Sequence, residues 1–288
     1  MKYAVIDIGS NSVRLLMWAD GRSLYKKINT TRLGEGLSLT GKLSHDAIVR
    51  TSGAVREFAA QAKSEGASVL YAFATAAVRR AANGSEFTKT VKVECGIDVD
   101  VISGEREAEI GLFGALQGAD GGIIDVGGAS SEVTVQKGGK IVYAVSADVG
   151  AVRVKDVCGE DFMCAQQFIS EKIKVLGQIP RSAMKAVGGT ATALAALAGE
   201  IEPYDPCLVD GYCLTADTIY KWIRRLYSLS LPERLNLKGM EPKRPDILGG
   251  GALILYSVMQ RADVQSVSVS EKDNMEGYLL SKIKEERS

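Results

Sequence analysis

Apolar positions in the first part of the chain fall into two rhythms. Short, nearly continuous apolar runs at 3–8, 13–19, 68–74 and 97–102 read as strands. Between them lie longer segments with apolar residues every third or fourth position, which read as helices. The Gly-Ser-Asn-Ser turn at 9–12 joins the first two runs as a hairpin. Glycines 34, 36 and 41 then lead into a helix over 44–63, with Ser44 as N-cap and Ile48, Val55, Phe58 and Ala62 as its apolar stripe. Thr75 is placed to cap a basic helix start holding Arg79 and Arg80, and further helices are predicted over 85–94 and 105–116.

A glycine cluster at 118–122 interrupts this pattern, which sets an expected boundary between domains 1–117 and 118–288. The strand rhythm restarts at 123–126, 132–136 and 140–145, a three-strand meander. Helices and short strands then alternate. Gly188-Gly189-Thr190 precedes an alanine-rich helix, and Gly249-Gly250-Gly251 precedes another. A last strand at 265–269 leads to a terminal helix ending near 285, which is expected to fold back onto the first domain. This mixture predicts an α/β fold.

Composition narrows the function classes. The 288 residues are 46% hydrophobic and 24% charged, ordinary values for a chain able to bury a core. Thirty-five basic and 35 acidic residues balance, so no global positive field points to nucleic acid or a membrane surface. Asp7 comes too early for a signal-peptide core, and no apolar run is long enough to span a bilayer, so a cytoplasmic protein is expected. A single histidine, His45, leaves little room for a Ser-His-Asp triad or a Cys/His metal site. The five cysteines lack zinc-knuckle spacing and are expected to be reduced thiols.

The chemistry resides in an internal echo. Asp7-Ile8-Gly9-Ser10-Asn11-Ser12 and Asp125-Val126-Gly127-Gly128-Ala129-Ser130 each follow an apolar strand and feed a second one. Such a turn can aim several backbone N–H groups at one phosphate, and its leading Asp can hold a divalent cation bridging to phosphate oxygens. A single loop of this kind is equally an ordinary hairpin turn; two, one opening each half, favour phosphate handling across a cleft. Between them, Glu107 falls opposite the predicted apolar arc of Ile110, Leu112, Phe113 and Leu116, beside Gly111 and Gly114. That position suits either a solvated surface residue or a catalytic carboxylate.

These stretches resemble the exopolyphosphatase and guanosine pentaphosphate phosphohydrolase family. Further matches are the runs at 74–79, 102–108, 125–132, 150–153, 187–192 and 246–250, in the family's order and over nearly the whole chain. The resemblance implies two actin-like (ribonuclease H-like) domains, each a mixed sheet flanked by helices, with an interdomain cleft. It implies Glu107 as the base acting on water, and Asp125 as holder of Mg²⁺ or Mn²⁺ with Asp7 and Glu132 close by. Gly9, Ser10, Asn11 and Ser12 would hold the scissile phosphate on one side, and Gly127, Gly128, Ala129, Ser130 and Ser131 on the other. Arg79 would neutralise charge on the transferring phosphoryl group. A homodimer acting on polyphosphate or a nucleotide polyphosphate is implied as well. The chain departs from the family pattern at Asn274-Met275, where a Gly and an Arg usually precede Glu276-Gly277. A kinase or ATPase of the same fold would instead use glycines 188–189 and 249–251 around an adenosine; a non-catalytic sensor would bind without turnover.

Overall fold

The computed structural model describes residues 1–287, which divide into two compact units, 1–110 with 274–287 and 111–273. The division falls inside helix Gly104–Leu116, ahead of the glycine cluster at 118–122. Each unit is α/β, a mixed sheet with helices packed on it, as the sequence pattern predicts.

The first unit contains strands β1 (Lys2–Ile8), β2 (Val13–Ala19), β3 (Arg22–Asn29), β4 (Val69–Ala74) and β5 (Val99–Val101), in sheet order β3-β2-β1-β4-β5. Strand alternation sends Ala4, Ile6 and Ile8 to one face, where they pack with helix His45–Ser64 through Val55 and Phe58. Val5 points the other way and packs with Leu16, Phe73 and Tyr278. Tyr278 belongs to the terminal helix Asn274–Arg287, so the chain's end closes the back of this sheet. Its Gly277 is required there, because a Cβ would fall inside the carbonyl of Ile110. Met275, one of the two residues where the chain departs from the pattern it resembles, is fully buried in the same apolar cluster, and Lys26 of β3 pairs with Glu276 at 2.9 Å.

The second unit contains β6 (Gly121–Val126), β7 (Ser131–Lys137), β8 (Lys140–Ala147), β9 (Met184–Val187), β10 (Cys213–Thr215) and β11 (Ser266–Ser270), in order β10-β11-β9-β6-β7-β8. The echo read from sequence is real in topology. β1 and β6 each pair antiparallel with the next strand in the chain and parallel with the one that follows the meander. The expectation of reduced thiols is corrected at one pair. Cys158 ends helix Ala151–Cys158, Cys164 lies in the next helix, and the short turn at Gly159–Asp161 brings their Cα atoms to 5.5 Å, where a disulfide joins them. Cys95, Cys207 and Cys213 are free thiols. Among the described residues no helix is long and apolar enough to cross a membrane.

Candidate phosphate and active site

The two loops are hydrogen-bonded alike. Ile8 pairs with Val13 and Val126 with Ser131, so each hairpin is closed by four residues. In the first, the Gly9 N–H donates to the Ser12 carbonyl at 3.0 Å; in the second, the Gly127 N–H donates to the Ser130 carbonyl at 3.0 Å. Glycine leads each turn because a Cβ would sit 3.2 Å from the Ser12 oxygen or 3.1 Å from the Ser130 oxygen. No backbone hydrogen bond of the described residues uses the N–H groups of Ser10, Asn11 or Ser12, nor those of Gly128, Ala129 or Ser130. Buried N–H groups without a protein partner are uncommon, and a cluster of them in one turn suits an anion.

The carbonyls, by contrast, are tied back. In the first loop the Ser10 and Asn11 carbonyls accept from the Gly34 and Arg32 N–H groups, both at 2.8 Å. In the second, the Gly127 carbonyl accepts from Ala151 at 2.9 Å, and Gly128 accepts from Val152 and Arg153 at 2.9 and 3.0 Å. Those donors are the first N–H groups of helix Ala151–Cys158, which would otherwise lack partners. With oxygens turned to the scaffold, each loop presents nitrogen. The Asn11 side chain adds to this: 7% exposed, it has neither amide atom hydrogen-bonded. Ser131 is placed differently, because it opens β7 and its hydroxyl donates to the Val149 carbonyl at 2.6 Å.

The leading aspartates differ through their cross-strand neighbours. Asp7 lies opposite Arg14, whose Nε donates to Asp7 Oδ2 at 3.0 Å, with Nη2 on the same oxygen. Asp125 lies opposite Glu132, which accepts from the Ser146 hydroxyl at 2.7 Å. Asp7 thus has a cation on its own hairpin, while Asp125 has a second carboxylate across the ladder. Gly188 (φ +79°) leaves room for Asp125, since a Cβ there would come within 2.5 Å of Oδ1.

A Mg²⁺ ion takes one or two protein carboxylates and completes its shell with water and phosphate oxygens. Asp125, with Glu132 beside it, fits that donor set. Among the described residues no group of three or more His, Cys, Asp or Glu side chains is gathered to hold a metal alone.

Glu107 is buried (8% exposed), against the reading of it as a solvated surface residue. The Ser103 carbonyl and hydroxyl accept from the Glu107 and Arg106 N–H groups at 2.9 and 3.1 Å, which sets the helix's first turn. Arg79 then fixes the carboxylate, donating from Nη1 to Glu107 Oε2 at 3.0 Å and to the Ile102 carbonyl at 2.7 Å. Phe113, which the helical wheel put in the apolar arc, is 41% exposed, and Glu109 is exposed and paired with Arg106 at 3.2 Å. The helix is covered on more than one side, so its buried residues do not form a single arc.

The glycines of the nucleotide-binding alternative are occupied by packing. Gly250 meets the Val154 side chain, Gly251 meets Thr190 and Gly249 meets Tyr227, all within the buried face of helix Leu248–Arg261. Gly189 lies under the Arg244 guanidinium, itself buried and paired with Glu241. Close helix contacts of this kind explain why these positions are glycine, with no nucleotide required.

The Ppx/GppA phosphatase family profile matches residues 19–286. The chain is 28% identical to Exopolyphosphatase 2 of Mycobacterium tuberculosis, with 97% of this chain and 98% of that one covered. The crystal structure of the Aquifex aeolicus Ppx/GppA family member superposes with a TM-score of 0.79 at 30% identity, covering 100% of this chain and 99% of that one. An exopolyphosphatase-like protein superposes with a TM-score of 0.92 at 25% identity, covering 99% of each.

Proposed function

From its membership of the Ppx/GppA phosphatase family, which makes this chain a phosphohydrolase, we propose that it releases terminal orthophosphate from inorganic polyphosphate, or from guanosine pentaphosphate, by attack of water. The observation that carries this reading is the matched pair of loops, each with three unused N–H groups and its carbonyls tied back. A phosphoryl group in a loose transition state spreads charge over its oxygens, and such donors stabilise it without a covalent intermediate.

Each residue takes a distinct part. Glu107 orients the attacking water and accepts its proton, with Arg79 holding the carboxylate at one angle. Loops 9–12 and 127–130 bind phosphoryl oxygens through their backbone. Asp125, supported by Glu132, is the carboxylate for Mg²⁺ or Mn²⁺, and Asp7 with Arg14 buttresses the first loop. The metal, when bound, supplies positive charge to the phosphate oxygens. Cytosolic residence and a homodimer complete the reading; light scattering tests the latter.

The test is phosphate release with Mg²⁺ from short polyphosphate, long polyphosphate, ATP and guanosine pentaphosphate in parallel. Turnover of polyphosphate or of guanosine pentaphosphate above ATP is expected. A protein that binds polyphosphate yet releases nothing with any divalent metal is a sensor, and the hydrolase reading fails.

A further inference from the structure

Asp125, Glu132 and Ser146 form one row across three strands. Asp125 of β6 is the Cα partner of Glu132 in β7, and Glu132 is the partner of Ser146 in β8. Partners in antiparallel register carry their side chains on one face of the sheet. Ser146 is exposed and could give its proton to water, yet its hydroxyl donates to Glu132 Oε1 at 2.7 Å. The requirement lies with the acceptor. Glu132 is 3% exposed, and a buried carboxylate is costly unless donors reach it.

The first hairpin provides the internal comparison. Its corresponding row is Asp7, Arg14 and Ile28, on β1, β2 and β3. Arg14 brings its own donors and places Nε and Nη2 on Asp7, and the third position is an isoleucine, exposed and without a polar side-chain atom. In the second row the middle residue is a carboxylate, which when ionised has only acceptors, and the third position supplies a donor. A hydrogen bond from behind fixes how a carboxylate is turned, and such outer partners tune metal affinity. Resting on the proposed reading of Asp125 and Glu132 as the metal carboxylates, we propose that Ser146 is a positioning residue that orients Glu132 beside Asp125 and so sets the affinity for the divalent cation.

Binding of Mn²⁺ alone to the substrate-free protein, followed by electron paramagnetic resonance of the free ion, tests this. Ser146→Ala should raise the Mn²⁺ dissociation constant about tenfold, with Tm unchanged because the position is an exposed one on an edge strand. Ser146→Thr keeps the hydroxyl and should bind Mn²⁺ like wild type, whereas Ser146→Val, of similar shape without it, should bind as weakly as Ser146→Ala. In the phosphate-release assay Ser146→Ala should raise the half-saturating Mg²⁺ concentration while kcat at saturating metal stays within about twofold. Mn²⁺ affinity unchanged in Ser146→Ala, or equal in Ser146→Thr and Ser146→Val, overturns the proposal and leaves the metal reading standing. A wild-type protein that binds no Mn²⁺ overturns both.

Discussion

Loops 9–12 and 127–130 have the same length and the same Gly-to-Ser closing bond, but they are held from behind by different means. The first is laced to an irregular segment, 32–34, through two N–H groups and one strained residue. The second is seated on the start of helix Ala151–Cys158, where three N–H groups converge on two carbonyls. Their carboxylates differ as well. Asp7 faces Arg14 across the hairpin, whereas Asp125 faces Glu132. One supersecondary unit thus carries two electrostatic settings: an aspartate opposite an arginine in one copy, an aspartate opposite a glutamate in the other. A shared backbone design does not imply shared roles for the side chains mounted on it.

Substitutions can break or sharpen that comparison. Replacing the buried carboxylate outside both loops should have the largest effect: Glu107→Gln should lower kcat by about 10²- to 10⁴-fold, as loss of a positioned base does, with a circular dichroism spectrum like wild type. Next comes metal use. Asp125→Asn should raise the Mg²⁺ concentration for half-maximal activity by about tenfold or more, and Asp7→Asn should raise it less. Equal shifts would mean that the aspartates do the same job.

The supports come third. Gly150→Ala drives a Cβ to 2.5 Å from the Ala129 nitrogen, backbone against backbone, and should cost roughly 1–3 kcal/mol in denaturant titrations. Gly34→Ala brings its Cβ to 3.0 Å from the Ser10 Cβ and 3.3 Å from the Ser10 carbonyl oxygen, looser than at Gly150, and should cost less than Gly150→Ala. The smallest effect concerns the back of the first sheet. Burial, then Asp100, raises the Tyr278 phenol well above its ordinary pKa. The folded form therefore keeps its proton where the unfolded chain loses it. That stability is intact below about pH 10 and is lost as pH climbs towards the raised value. Tyr278→Phe should flatten the alkaline fall in Tm slightly.

Much of the fold was legible because glycine and serine punctuate it. The four-residue turns after Ile8 and Val126, the meander and the α/β alternation all follow from local pattern. Strand β3 escaped notice because its exposed, charged residues mask the alternation of Leu24, Lys26 and Ile28 with their neighbours. The partners of the aspartates were hidden for another reason. Arg14 and Glu132 become neighbours of Asp7 and Asp125 only through strand register, which no spacing rule supplies before the hairpin is known. Glu107 was placed by resemblance to the family, since the helical wheel left its burial open. The supporting role of Gly150 has no local signal at all, since it depends on contact with Gly128 and Ala129.

The central claim is that both loops bind phosphate through the same three backbone N–H groups. Amide NMR of the Glu107→Gln protein tests it during titration with Mg²⁺ and tripolyphosphate. The signals of Ser10, Asn11 and Ser12 and those of Gly128, Ala129 and Ser130 should all move downfield with one common affinity. Movement in only one set, or in neither while tripolyphosphate binds elsewhere, would contradict the account.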